Sequence, residues 1–372
     1  MRQIVTALLG ATALSIACAP GALAADMLDK APVYKAPPGT VVSASGLYLS
    51  VDGAWQQVHL PTYALGFRSV AEPSRLDQGV ISPFDQRFNG SGIRGAIGYI
   101  FPTGTFNPMF GTNVRAELGA SYGRAKGSQS AASTQTTDRI SLSLLDGSGQ
   151  NNAFTCNGGI SCTTNSTLSS DYSSWQINGK FASDFRTGGV TLTPSVAVFG
   201  GHTRNNQTLA QSFTQFVGAG IVDTGTYNAS TSVSWSDIGA RVGLDGKVDV
   251  NNWMAVGLGG YAGFASRRAS LSGNDIGTDS ASDVVFNGAS ALSTGANTTA
   301  FVANAEANMT FKVTPAVAIR AFTGVNYDSR VPGISSPSFA GDVFAPTSRT
   351  AAGITFQSEA SYYAGGGVTA KF

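Results

Sequence analysis

Apolar and polar residues alternate over stretches long enough to cross a membrane, and this pattern constrains the fold more than any other feature of the sequence. In residues 298–313 one parity holds Phe301, Ala303, Ala305, Ala307, Met309, Phe311 and Val313. The opposite parity holds Asn304, Glu306, Asn308, Thr310 and Lys312. Because successive side chains of a strand point to opposite faces, the pattern predicts a strand with one apolar and one polar face.

The same test gives ten candidate strands, and the connections between them alternate between long and short. The strands are predicted at about 46–57, 89–101, 112–124, 171–185, 190–203, 231–247, 253–268, 298–313, 316–328 and 360–372. Outer-membrane barrels have short periplasmic turns and longer outer loops. The sequence therefore predicts an all-β fold, a single transmembrane antiparallel β-barrel of about ten strands with five long extracellular loops. Two of these loops are predicted at 125–170 and 269–297.

The composition excludes other classes of protein. Charged residues make up 12% of the chain, against about 25% in an average soluble domain. No internal uncharged apolar run is long enough for a helical membrane span, which needs about 18 residues. The formal net charge of +1 gives no electrostatic basis for binding nucleic acid.

The first 45 residues predict export and a leader segment. Arg2 precedes an uncharged stretch, and Ala22-Leu23-Ala24 provides the small residues of a cleavage site, so residues 1–24 are interpreted as a signal peptide. An alternative is a lipoprotein signal in which Cys18 becomes lipidated. Residues 25–45 are rich in proline and are predicted to be an extended periplasmic leader, followed by the barrel at 46–372.

The last residues close the predicted barrel. Phe372 ends an alternating segment and resembles the signal read by the barrel assembly machinery. Together with the leader Ala25-Asp26-Met27-Leu28-Asp29-Lys30-Ala31-Pro32-Val33-Tyr34-Lys35-Ala36-Pro37-Pro38, the chain resembles the small outer-membrane β-barrel proteins of alphaproteobacteria, often described as porin-like or opacity-like. The resemblance implies a place in a Gram-negative outer membrane. It also implies contacts with membrane lipid, lipopolysaccharide and the assembly machinery.

Charged residues on the polar parity are predicted to face the lumen. Six are basic and six acidic: Asp52, Arg94, Arg115, Glu117, Lys180, Asp184, Asp237, Arg241, Asp245, Glu306, Lys312 and Arg320. An unpaired buried charge costs several kcal/mol, so charges of balanced sign in a narrow lumen should pair. These residues form either a salt-bridge network that stiffens the wall or the lining of a thin, weakly selective passage.

Aromatic residues fall near the predicted strand ends, on or near the apolar parity. Outer-membrane barrels carry aromatic girdles at both membrane interfaces. The predicted girdle residues are Trp55, Tyr99, Tyr122, Trp175, Trp235 and Trp253.

The cysteines and histidines do not indicate catalysis. Cys156 and Cys162 lie close together in the longest loop, and in an oxidising compartment they are predicted to form a disulfide. His59 and His202 are placed just beyond the outer strand ends. Neither has the nearby aspartate of an omptin-type protease, and no motif surrounds a serine nucleophile.

No cofactor or metal is expected. The loop 269–297 holds Asp275, Asp279 and Asp283 at a spacing of four, which would suit calcium, but a solvated acidic loop is preferred. The predicted function is a structural or narrow porin-like role. The alternative is a surface interaction protein whose outer loops bind a host or phage ligand, and a secreted soluble β-protein is a third class.

Overall fold

The computed structural model describes residues 45–71, 74, 76–148, 153–218, 220–279, 288–343 and 345–372. The strands in these ranges are β1 (Gly46–Tyr63), β2 (Gly66–Ala71), β3 (Leu76–Val80), β4 (Phe84–Ile100), β5 (Thr112–Gln135), β6 (Arg139–Ser143), β7 (Ala153–Thr155), β8 (Ile160–Thr187), β9 (Val190–Val217), β10 (Gly220–Asp249), β11 (Met254–Asp279), β12 (Gly288–Lys312), β13 (Val317–Ser335), β14 (Ser338–Asp342), β15 (Ala345–Thr350) and β16 (Gly353–Lys371). A 3-10 turn, Pro108–Phe110, lies between β4 and β5. The described residues contain no helix long and apolar enough to span a membrane.

Ten of these strands close into one antiparallel barrel. Their order around the wall is β1, β16, β13, β12, β11, β10, β9, β8, β5 and β4. The last strand pairs with the first, with Val51 opposite Val368, so the barrel is closed. Each of the ten segments predicted from alternation lies in a different barrel strand, and the predicted all-β barrel is confirmed.

The barrel strands are longer than predicted, always at the end that carries the long connections. We call this the outer end, and the end that holds Ser45 and Phe372 the inner end. Strand β9 runs to Val217 and β10 begins at Gly220, so most of the loop predicted between them is strand. The predicted loops 125–170 and 269–297 likewise contain the outer parts of β5, β8, β11 and β12. The outer connections are therefore shorter than predicted, although those after β1, β5 and β13 remain long.

The error has a physical cause, which β10 shows clearly. In its inner part the outward residues are apolar, among them Leu244, Val242 and Ile238, and Ile238 is 76% exposed. Beyond Ile238 the outward positions become serine, asparagine and threonine: Ser236, Ser234, Ser232, Ser230, Asn228, Thr226 and Thr224. A search for apolar residues on the outward parity therefore ends where the outer surface becomes polar.

The inward residues of β10 change in the opposite sense at the same level. From the inner end they are Lys247, Asp245, Arg241 and Asp237, followed by Trp235, Val233, Thr231, Ala229 and Tyr227. Tyr227 is fully buried, and Val233 is 2% exposed. The barrel thus has two halves, an inner half that is apolar outside and charged inside, and an outer half that is polar outside and apolar inside.

Exposed aromatic rings lie on the outer surface close to this change. Tyr122 of β5 is paired with Trp175 of β8, and each is about half exposed. Phe264 of β11 packs edge-on against Phe301 of β12, with 5.4 Å between ring centroids. Trp55, Tyr99 and Trp253 are also exposed, as a girdle requires. The prediction for Trp235 is wrong, because this ring is inward and 6% exposed.

The outer half is filled by a small second sheet, which we call the plug. It has the order β3-β2-β6-β7 and comes from the connections that follow β1 and β5. Leu65 and Phe67 at its start are 1% exposed and belong to one core with Leu168, Leu209 and Leu271 of the wall. The Phe67 ring lies 5.3 Å from Phe213 and 6.5 Å from Tyr227, centroid to centroid.

The predicted disulfide is present beside this core. Cys156 and Cys162 are bonded, and both are fully buried. The Phe154 ring, two residues before the bridge, lies 4.2 Å from Phe213. The bridge therefore joins the end of the plug to the start of β8 rather than closing an exposed loop tip.

Shortening a core residue of the outer half tests whether this half is a packed protein interior. Leu209→Ala should lower the free energy of unfolding by about 2–5 kcal/mol, because it leaves a cavity against the plug. Thr208→Ala, one residue away on the outer surface, should change it by less than about 0.5 kcal/mol. The measurement is the midpoint of the shift between folded and unfolded migration on a detergent gel. Equal midpoints for the two variants would contradict a packed outer half.

Candidate functional site: the barrel interior

The predicted lumen charges lie on the inward parity of the inner half, and several of them meet in one cluster. Arg94 donates to Asp52 at 2.8 Å and to Glu306 at 2.9 Å. Arg320 lies 2.6 Å from Asp52 and 3.4 Å from Glu306. We call these four residues the inner charge cluster. Two cations and two carboxylates on four strands thus cross-link the wall.

Aromatic residues that the sequence analysis did not identify complete this cluster. The Tyr363 hydroxyl donates to Glu306 at 3.0 Å. The Arg94 guanidinium lies 4.2 Å from the centre of the Phe322 ring, and Arg320 lies 5.0 Å from it. Cation–π contacts of this kind stabilise guanidinium groups that have lost water. Tyr363 and Phe322 have the same inward parity as the charged residues. Inward parity is therefore the sequence signal that could have identified them.

The other predicted lumen residues form smaller groups nearer the inner end. Arg115 lies 2.8 Å from Asp184. Lys180 lies 3.3 Å from Glu117, which also accepts a hydrogen bond of 2.7 Å from Tyr48. Lys312 pairs at 2.9 Å with Asp249, a residue outside the predicted set.

Two predicted residues have other environments. The Arg241 guanidinium lies over the Tyr261 ring at 4.1 Å and within 3.4 Å of the Gln176 amide oxygen. Asp245 lies against Gly259, where any side chain would collide with its carboxylate. Among the described residues no salt bridge includes either Arg241 or Asp245. The pairing is therefore extensive but not complete.

A further arginine, absent from the predicted set, marks the boundary between the halves. Arg267 of β11 lies 2.7 Å from both Asp237 and Asp328, and its side chain is 1% exposed. It also lies over the Trp235 ring at 5.7 Å. The glycines of β11 obscure the parity of this strand, which is why the sequence analysis missed Arg267. Asp237, which was predicted to face the lumen, has Arg267 as its ion-pair partner.

Polar contacts within the outer half hold the plug to the wall. The Gln211 amide oxygen accepts a hydrogen bond from the Phe67 backbone N–H at 3.1 Å. Gly66, which precedes Phe67, has φ +107°, and a Cβ at this position would overlap the Gln211 side chain. Gln215 donates to the Thr155 carbonyl at 2.7 Å. Strands β2 and β7 therefore each have a specific docking point on β9.

Asp275 is the most buried of these docking points, with 3% of its surface exposed. Its carboxylate accepts hydrogen bonds from the Leu145 backbone N–H and the Tyr227 hydroxyl, both at 2.8 Å, and from Ser290 at 2.6 Å. Burial raises the pKa of Asp275, and the hydrogen bonds oppose that rise.

These contacts correct the prediction that Asp275 belongs to a solvated acidic loop. Asp279 ends β11, and Asp283 lies outside the described residues. Over the part of the chain that the structure describes, no group of histidine, cysteine or acidic residues could hold a metal ion.

The histidines lie within barrel strands, not beyond them as predicted. The His59 ring contacts the Gln57 amide oxygen at 3.2 Å and the Tyr362 ring. The His202 Nδ1 atom lies 3.0 Å from the Ser236 hydroxyl on the outer surface. Within the described ranges no carboxylate hydrogen-bonds to either ring, so neither histidine has the orienting acid of a catalytic triad.

Comparison with known proteins finds similarity at the level of architecture. No family model and no curated protein matches the sequence. The outer membrane protease OmpT of Escherichia coli is 14% identical over 88% of this chain and 96% of that chain, with a TM-score of 0.42. The translocator domain of the autotransporter NalP of Neisseria meningitidis is 12% identical over 88% and 89%, with a TM-score of 0.32.

An outer membrane channel of Pseudomonas putida is also similar, with 8% identity over 91% of this chain and all of that chain, and a TM-score of 0.29. These solved structures are outer-membrane barrels. At such scores they support no inference about activity, so the assignment of the barrel rests on the strand pairing itself.

Removing one member of the inner charge cluster should be costly. Arg94→Ala leaves Arg320 as the one cation of the cluster for Asp52 and Glu306, whose side chains are 9% and 13% exposed, and removing a partner from a buried carboxylate costs about 3–5 kcal/mol. The matched control is Lys312→Ala, which breaks the half-exposed pair with Asp249 and should cost about 1 kcal/mol or less. Urea unfolding in lipid vesicles measures both. Equal costs would show that the cluster does not stabilise the wall.

Two substitutions of Asp275 separate its hydrogen bonds from its charge. Asp275→Ala leaves three donors unpaired, at about 1–3 kcal/mol each, and should release the segment around Leu145. Asp275→Asn keeps an acceptor without the charge. Because the folded-state pKa of Asp275 is raised, its ionisation lowers stability as pH rises, and the amide avoids that cost. We expect fast hydrogen exchange near Leu145 only in the alanine variant. Equal exchange in both variants would contradict this role.

Proposed function

We propose that this protein is a closed outer-membrane barrel of a Gram-negative bacterium with a structural role. It would anchor a protein-filled barrel extension that stands above the membrane surface. The observation that carries the proposal is the reversal of polarity along the wall. An apolar outer surface on the inner half suits lipid, whereas the polar surface and filled core of the outer half suit water.

The height of the apolar surface supports a membrane location. A transmembrane β-strand needs about 9–11 residues. On β9 the outward residues are apolar from Val190 to Val198, and polar outward residues begin at His202. Exposed aromatic rings border the surface, as expected at a membrane interface. The predicted signal peptide, the assembly role of Phe372 and the resemblance to porin-like and opacity-like barrels belong to the same proposal.

The plug favours a structural role over a narrow porin-like one. A solute crossing the lumen would have to pass the inner charge cluster and then the core around Phe67. The side chains of that core pack against each other across the barrel, with Leu168, Leu209 and Leu271 at most 1% exposed. Passage would therefore require the plug to leave the barrel, which exposes its apolar surface.

A second candidate function is surface interaction through the outer end. The outward residues of β9 beyond Arg204 are mostly small and polar, among them Asn206, Thr208, Ser212 and Thr214. A rigid, protruding polar wall could present an epitope to a host or phage ligand. This candidate shares the architecture of the first and adds a partner.

We further propose that the protein is not an enzyme and needs no cofactor. Apart from Arg241 and Asp245, the predicted lumen charges are held in ion pairs that cross-link the wall. His202 and Ser236 are in contact, but on a flat strand surface where the backbone N–H groups are paired within the sheet. An acyl-transfer site needs free donors to stabilise an oxyanion.

Planar bilayer recordings test the structural role. The refolded protein should produce no conductance steps. A variant in which short glycine–serine linkers replace residues 66–80 and 139–155 removes all four strands of the plug, and this variant should conduct. Conductance steps in the unaltered protein that match those of the deletion variant would refute a closed barrel and favour the porin-like function.

A further inference from the structure

Basic side chains form a group on the outer surface of β5, β8, β9, β10 and β11. On these strands the outward cations above the aromatic rings are Arg124, Lys126, Arg204 and Arg268. We call these four residues the basic belt. The one carboxylate on the same surface of these strands, within the described residues, is Asp171. The belt therefore has a clear excess of positive charge.

The belt is confined to one height. Arg124 is the next outward residue after Tyr122, and Arg268 is two outward positions beyond Phe264. Farther from the rings, the outward residues of β5 are Ser128, Ser130, Ala132 and Thr134. The outward residues of β9 beyond Arg204 and of β11 beyond Arg268 are also uncharged. A wall that only needed solubility would have no reason to restrict its cations to the level just above the apolar surface.

Asp171 neutralises only one part of the belt. It lies 2.9 Å from Arg124 and 2.7 Å from Lys126. Its hydrogen bonds to these two cations lower the pKa of Asp171 to about 2, so it is ionised at neutral pH. Because one carboxylate pairs with two cations, Arg124, Lys126 and Asp171 together keep a net charge of +1.

Arg204 and Arg268 have no carboxylate partner among the described residues. Arg204 donates to the Asn206 amide oxygen at 2.9 Å and to the Ser232 hydroxyl at 3.1 Å. Arg268 is paired in register with Ser236, whose hydroxyl contacts His202. The two arginines are exposed and lie on either side of β10. Neighbouring strands are about 4.8 Å apart, so their backbones are about 10 Å apart.

We propose that the basic belt binds the phosphate groups of lipids in the outer leaflet. The inference rests on the proposed membrane location. The apolar surface below the belt receives the acyl chains, and this places a head-group phosphate at the level of Arg204 and Arg268. Guanidinium groups bind phosphate in a bidentate manner. The hydroxyls of Ser234 and Ser236 on β10, between the two arginines, and the His202 ring beside Arg204 on β9 supply further hydrogen-bonding groups.

Native mass spectrometry of the refolded full chain in a neutral detergent tests the proposal. The probe is phosphatidic acid, the simplest lipid phosphate monoester, and diacylglycerol, which carries no phosphate, is the comparison lipid. The test variant is Arg204→Ser with Arg268→Ser, because serine already occupies neighbouring outward positions. The control variant is Arg87→Ser, since Arg87 is exposed on β4 but pairs with Asp85 at 2.9 Å. Migration on a detergent gel shows that each variant is folded.

A basic residue near an anionic surface contributes about 1 kcal/mol, so the double variant should bind phosphatidic acid roughly 30-fold more weakly. Arg87→Ser should change the affinity less than about twofold. Arginine-to-lysine replacement at positions 204 and 268 should retain most of the affinity. Equal binding of diacylglycerol, or an unchanged affinity in the folded double variant, would overturn the proposal.

Two competitors distinguish other ligands. Inorganic phosphate that displaced the lipid at equal concentration would show a general anion site. Polyglutamate that did so would indicate an acidic protein partner. Either result would overturn the assignment to a lipid. Channel activity of the unaltered protein is recorded separately, so a failure of the closed barrel and a failure of the lipid site give different results.

Discussion

The alternation of side chains along a strand is the constraint on which the rest of this structure depends. Backbone geometry sends successive residues to opposite faces, but the surroundings decide which face must be apolar. In the inner half of the barrel the outward face is apolar, and in the outer half the inward face is. Both requirements are met by continuous strands such as β10, which keep their pairing while the polarity of each parity changes.

This change explains how the two halves are held together. Among the described residues the inner half has no apolar core of its own, and its inward charges are cross-linked through Asp52, Arg94, Glu306 and Arg320. The outer half has a core because the plug brings Leu65 and Phe67 into it. Arg267 lies at the junction, where its ion pairs with Asp237 and Asp328 lie beside the Trp235 ring of the outer-half core. A continuous sheet thus joins a charge-stabilised barrel to one stabilised by apolar packing.

Much of the barrel could be predicted from sequence, because the inner half obeys one rule over ten strands. The strand positions, the pairing of inward charges and the Cys156–Cys162 bridge follow from parity and spacing. The outer half could not be predicted in the same way, since its strands reverse the rule. Trp235 and Asp275 were misplaced for this reason. The docking of Phe67 on Gln211 depends on contacts between distant parts of the chain, which no local pattern records.

The most direct test of the two-part barrel is spin-label accessibility along β10 in lipid vesicles. Labels at outward positions 238–248 should be accessible to oxygen and protected from a water-soluble nickel reagent. Labels at outward positions 224–236 should show the reverse, and inward positions 227–233 should be protected from both. Oxygen accessibility that continued outward to position 224, or nickel access to positions 227–233, would contradict a water-exposed wall around a filled core.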